Sequence, residues 1–140
     1  MARGLQGIMR FRRYQVDQAR RDLGKLLGEV AILERGASDL ELQIVAEQKA
    51  ANEHPAEAGF IYGQYAVRAI EQRGRFAHAI QVMEARIAEA QDGLRTQYRE
   101  LKVVEIAQEN RDTAEAAEAD RAAQAVLDEI GVELHRRRGD

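Results

Sequence analysis

The chain has no cysteine. Disulfides and thiolate metal sites are therefore excluded. There is no tryptophan, only 5% of the residues are aromatic, and the single proline is Pro55. Much of the 45% hydrophobic content is alanine. Side chains this small cannot fill a thick globular core, and runs of Val, Ile, Thr and aromatics that would make strands are absent. No stretch approaches the roughly 20 apolar residues of a membrane span. The opening MARGLQGIMRFRRYQ carries no apolar run of signal-peptide length. A net charge of −3 argues against a general nucleic-acid binder.

What remains is 32% charged residues in a background of Ala, Glu, Arg, Leu and Gln, the composition of long helices and coiled coils. Apolar residues recur at alternating steps of three and four. In the first half, Met9, Val16, Leu23, Val30, Ala37 and Ile44 make one seam, and Ala19, Leu26, Leu33 and Leu40 the other. In the second half, Ile80, Ile87, Leu94 and Leu101 form one seam. Tyr62, Ala69, Phe76, Met83, Ala90 and Val104 form its companion, with Gln97 as a polar interruption. The pattern predicts helices over about 4–52 and 58–136. Between them lies a turn at about 53–58, in which Pro55 disfavours helix at His54 and which Asn52 and Gly59 flank with turn character. The expected fold class is all-α: one antiparallel two-helix coiled-coil hairpin, monomeric, with a longer second helix overhanging the N-terminus.

With the turn centred near residue 56, facing residues have numbers summing to about 113. Ala37 then faces Phe76, Ile44 faces Ala69, Val30 faces Met83, and Leu40 faces Arg73. Several layers pair large with small, as interdigitation at constant helix separation requires. A one-heptad slip, with the turn at residue 53 or 60, keeps the seams as well. Gly24, Gly28, Gly36, Gly74 and Gly93 fall outside the seams and are expected on outer faces, each costing roughly 0.5–1 kcal/mol relative to Ala. In a sharper reading, Gly24 and Gly28 bare the backbone for another helix.

Charge and arm length carry the functional signal. Residues 1–25 hold seven basic residues against Asp17 and Asp22, whereas residues 105–129 hold eight acids against Arg111 and Arg121. The first helix should run out opposite about residue 108. Beyond it, EIAQENRDTAEAAEADRAAQA is Ala-rich and charged, the composition of a single helix held by propensity and i,i+4 pairs. Apolar residues return at Val126, Leu127, Ile130 and Leu134, followed by Arg136-Arg137-Arg138. A stripe with no partner inside the chain calls for burial against another protein.

No catalytic constellation is present. The glycines are scattered along helices rather than gathered in a phosphate loop. His54, His78 and His135 are far apart, none at metal-pair spacing. The carboxylates lie on solvated faces without a cleft. These features point to a binding protein without catalytic residues, cofactor or metal. Phe11 and Tyr14 among Arg10, Arg12 and Arg13 read as aromatic stems over a solvated helix face. RNA or lipid contact through that face, and a generic coiled-coil scaffold, are the alternative functions.

Three segments together resemble the FliJ family, the small coiled-coil component of the bacterial flagellar type III export apparatus, to which injectisome counterparts are similar. LQGIMRFRRYQVDQARRDLGKLLGEV resembles the family opening, with a short apolar start, arginines, Val16-Asp17 and then Leu23-Gly24. IYGQY resembles the start of the family's second helix. EADRAAQAVLDEIGVELHRRR resembles its ending, with Asp128-Glu129 and a basic tail. The resemblance covers nearly the whole chain. It implies a cytoplasmic, stalk-like adaptor, peripheral at the inner-membrane export apparatus, similar to the shaft of rotary ATP synthases. Its partners would be the hexameric export ATPase and the cytoplasmic domain of the export gate, with export chaperones as further candidates. Neither nucleic acid nor direct membrane contact is implied. The ATPase-binding residues would be Leu127, Ile130, Leu134 and Arg137, with Arg10 and Arg13. The gate-binding residues would be Leu40, Tyr65, Ala69 and Phe76, with Tyr65 the best placed because the others fall in the seam.

Overall fold

The computed structural model describes residues 2–139. It contains two helices, α1 (Ala2–Glu53) and α2 (Pro55–Gly139). They pack against each other as an all-α hairpin. Among the described residues there is no strand and no non-glycine residue with positive φ.

The break between the helices is shorter than the six-residue turn expected. Only His54 is non-helical. Its N–H still donates to the Ala50 carbonyl at 3.3 Å, closing the last turn of α1. Pro55 then opens α2, where its missing N–H costs nothing because the first helical N–H groups have no intrahelical acceptor. Asn52 and Gly59 are helical, so their turn character is not used. Glu57 in the first turn of α2 and Arg136, Arg137 and Arg138 in the last have the signs that complement the helix dipole.

The chain divides into two compact units. The first to consider is residues 17–96, which holds the bend. Its core is Leu40, Ile44 and Ala69, with Tyr65 and Phe76 packed against them. Val30 is buried, while Leu23, Leu26, Leu33, Ala37, Ile80, Met83, Ile87, Ala90 and Leu94 are half-buried. This is the heptad seam read from the sequence. The register is the one centred near residue 56. Phe76 lies beside Gly36, and the Arg73 guanidinium donates to both carboxylate oxygens of Glu41 at 2.6 and 2.8 Å. A slip of one heptad would separate both pairs by about 10 Å along the axis.

Gly36 departs from the outer-face expectation. A Cβ built there would lie 2.7 Å from Cε1 and 2.9 Å from Cζ of Phe76. The missing side chain lets the Phe76 ring lie against the α1 backbone. Gly24, Gly28, Gly74 and Gly93 have nothing within 4 Å of the same built atom.

The other unit comprises residues 1–16 and 97–140. Here Val16 and Leu101 are buried and Leu5, Met9, Arg12, Gln97, Val104 and Gln108 are partly covered. Arg12 takes a seam position, and its Nη1 donates to Glu100. The side-chain oxygens of Gln97 and Gln108 are covered without a hydrogen-bond partner. From Asp112 to Gly139, every residue but Ala117 is exposed.

Candidate protein-docking surfaces

The exposed end of α2 is helical to Gly139 although nothing in its own unit covers it. Local terms hold it. Gln108 donates to Asp112 at 2.8 Å and Gln124 to Asp128 at 3.0 Å, both four residues apart. The hydroxyl of Thr113 donates back to the Glu109 carbonyl at 2.9 Å. Such pairs each contribute a few tenths of a kcal/mol, enough to bias an Ala-rich segment but not to pack it.

On this helix Leu127, Ile130 and Leu134 share one face by their three- and four-residue spacing. They are 61%, 51% and 52% exposed. Val126 and Val132 are exposed beside them. Arg137 lies one turn beyond Glu133, 3.7 Å from its carboxylate, so the basic end is partly compensated. The exposed apolar row and the basic end make a contiguous surface suited to an apolar groove with an acidic edge.

Arg10 and Arg13 are exposed and border an open hollow of about 470 Å³ with Gln6, Met9, Gln108 and Asp112. The fold does not bring them to the apolar row. Asp112 stands beside them, and Leu127 is about 22 Å further along α2. The ATPase-facing residues named from the resemblance thus form two patches. Arg12, read only as part of a basic face, instead pairs with Glu100 and lies over the Phe11 ring at 5.6 Å. A charge at a seam position was the available signal.

Near the bend, the structure gathers Leu40, Tyr65, Ala69 and Phe76 into one cluster. Leu40 and Ala69 are 6% and 4% exposed, leaving almost no surface to offer a partner. Tyr65 and Phe76 present only part of their rings. Tyr62 and Tyr65 lie with ring centroids 6.4 Å apart. The Tyr65 hydroxyl is covered and has no hydrogen-bond partner. Its pKa is raised above the usual tyrosine value, first by desolvation and then by the charge of Glu47 and by Tyr62. The Arg73 guanidinium is made more basic by its hydrogen bonds to Glu41 and by that carboxylate's charge.

One surface has no counterpart in the heptad reading. Phe60, Val67 and Ile70 are 79%, 58% and 66% exposed. With Gly63, Gly74 and Ala77 they recur at steps of three and four along the side of α2 next to the seam. The sequence signal for this row is its own three- and four-residue spacing, which runs parallel to that of the seam.

No helix among the described residues is long and apolar enough to cross a membrane. No group of three or more His, Cys, Asp or Glu among them could hold a metal ion. Two long helices packed along heptad seams, with apolar rows left exposed, define an all-α coiled-coil hairpin.

The chain belongs to the FliJ family: the model of the flagellar FliJ protein matches residues 1–140. No curated protein and no solved structure matches it. The family consists of coiled-coil components of the flagellar export apparatus, and the chain takes that role in flagellum biogenesis and protein export. The family's place is cytoplasmic.

Proposed function

We propose that this chain is a non-enzymatic, stalk-like adaptor that docks the exposed end of α2 on the hexameric export ATPase and turns the bend towards the cytoplasmic domain of the export gate. The observation that carries the reading is the apolar row Leu127, Ile130 and Leu134, exposed on a helix that has no packing partner in its own unit. Leu127, Ile130, Leu134 and Arg137 are the ATPase-binding residues, with Arg10 and Arg13 making a second, electrostatic contact further back. At the bend, Tyr65 and the open edge of Phe76 meet the gate. Leu40 and Ala69 form the floor that holds those two rings in place and contribute no contact of their own. The chain reaches the inner membrane only through these partners, and export chaperones are the remaining candidate ligands.

The test replaces Leu127 and Leu134 together with Asp and measures binding to the purified export ATPase. Each leucine buried in a complex is worth roughly 1.5–3 kcal/mol, so the pair should weaken binding more than a hundredfold. Both positions are exposed, so thermal melting followed by circular dichroism should be unchanged. Binding retained with an unchanged melt would remove the tip as the docking surface.

A further inference from the structure

The apolar row beside the seam begins just after the bend and is bounded. It runs Phe60, Gly63, Val67, Ile70, Gly74, Ala77, without a charged residue, and the same face then carries Gln81 and Glu84. This is a second heptad stripe, rotated by about 100° from the seam that binds α1. That rotation resembles the angle at which one helix of a four-helix bundle meets its two neighbours.

The row is complementary to itself when reversed. Laid antiparallel on a second copy about a two-fold axis between Arg68 and Ala69, Phe60 stands opposite Ala77, Gly63 opposite Gly74, and Val67 opposite Ile70. A large residue meets a small one at the ends, and Gly63 meets Gly74 on either side of the axis, where neither side chain holds the backbones apart. The flanking side chains include two opposite-sign approaches. Across the axis Arg68 lies two residues, about 3 Å along the helix, from level with Glu71 of the other copy, within reach of its long side chain, and His78 comes near Glu57. The two Arg68 residues come level at the axis, on the side of the helix pair turned away from the seam, where solvent screens them and each has Glu71 of the other copy within reach.

The structure holds a matching recess. An open hollow of about 270 Å³ lies on this side of the hairpin, lined by Ser38, Glu41, Arg73, Phe76, Ala77 and Ile80 among others. Ala77, which faces Phe60 of the second copy, is part of its wall. Phe60 is the most exposed large apolar residue among those described. The hollow is smaller than the pockets of about 300–1,000 Å³ that take drug-sized ligands, and suits one side chain. On α1, Val45 lies one heptad from Ser38 on the same side, is 61% exposed, and is level with the axis, so two copies of it meet there.

We propose that the row Phe60–Ala77 of α2 is a self-association surface, on which a second copy of this chain packs antiparallel and seats its Phe60 in the hollow beside Ala77. Such an interface is isologous and closes as a dimer. Its few turns bury less than the roughly 1,200 Å² of a stable complex, so the association is weak and concentration-dependent. At low concentration the chain is the single hairpin expected from its sequence.

Sedimentation equilibrium over a series reaching about 1 mM, where a binding free energy of only about −4 kcal/mol half-populates a complex, should show the mass rising from 15.7 kDa towards twice that value. Phe60→Ser and Ile70→Glu should each hold it at one chain. Both sites are largely exposed, and circular dichroism should report unchanged melting. The chain lacks cysteine, so orientation can be read directly. Oxidising a mixture of Gly63→Cys and Gly74→Cys chains should give a disulfide-linked dimer, and neither variant alone should. A mass of one chain at every concentration, cross-linking of either variant to itself, or dimers that survive Phe60→Ser and Ile70→Glu would each overturn the proposal.

Discussion

Replacing Gly36 with Ala tests the packing at the bend against ordinary helix propensity. At an open helical site the change should stabilise the protein, because Ala exceeds Gly by roughly 0.5–1 kcal/mol. Gly24, with nothing within 4 Å of a built Cβ, is such a site. At Gly36 the new methyl would lie 2.7 Å from Phe76 Cε1, well inside van der Waals contact. The ring must swing away from the α1 backbone, disturbing its packing on Leu40, Ile44 and Ala69. Overpacking of this kind costs about 1–3 kcal/mol. Set against the propensity gain, Gly36→Ala should be neutral to about 2 kcal/mol destabilising, while Gly24→Ala gains about 0.5–1 kcal/mol. Urea denaturation followed by circular dichroism measures both. Adding Phe76→Leu should remove the penalty from Gly36→Ala, because the shorter side chain no longer reaches the methyl. Equal stabilisation by Gly36→Ala and Gly24→Ala would refute the packing argument.

The Glu41–Arg73 pair is bidentate but about half exposed on both sides. A double-mutant cycle with Ala at each position should show a small coupling, shifting Tm by less than about 2 °C and vanishing in 1 M salt. Tyr65 titrates above its ordinary value of 10.0 because burial and Glu47 oppose the tyrosinate. The folded state therefore holds the proton more tightly than the unfolded chain. Stability from this group is complete below pH 10 and declines as the pH rises from there through the folded pKa. Absorbance at the tyrosinate band, with Tyr65→Phe as reference, should show one of the four tyrosines ionising late.

Most of the fold was legible because a single periodicity sets it. The 3.5-residue repeat fixes the helix type, the buried face and, through the position of Pro55, the register. Gly36 against Phe76 and Glu41 with Arg73 sit where that register puts them. The bend is narrower than the sequence suggests because Asn52 and Gly59, residues with turn character, are helical here. Within helices of this length, both are simply tolerated. Phe76 pointing at Gly36 was not legible, since it depends on a rotamer and not on a seam position. The site residues divided for a similar reason. Leu127, Ile130 and Leu134 lie where no helix covers them and their exposure follows from arm length alone. Leu40 and Ala69, carried over by resemblance, fall on the seam and are consumed by the core.

In the proposed function, the uncovered end of α2 is the part of the chain that a partner orders and buries. Amide hydrogen exchange, with and without the export ATPase, tests it most directly. An unpacked helix exchanges close to its local opening equilibrium, whereas seam residues exchange through larger openings. Without partner, residues 118–138 should exchange fast and those around Leu40, Ile44 and Ala69 slowly. On adding the ATPase, protection should rise most at Leu127–Leu134 and stay unchanged at the Leu40–Ile44 core. Protection appearing elsewhere, with Leu127–Leu134 still exchanging at the rate of the free chain, would rule out the end of α2 as the docking surface.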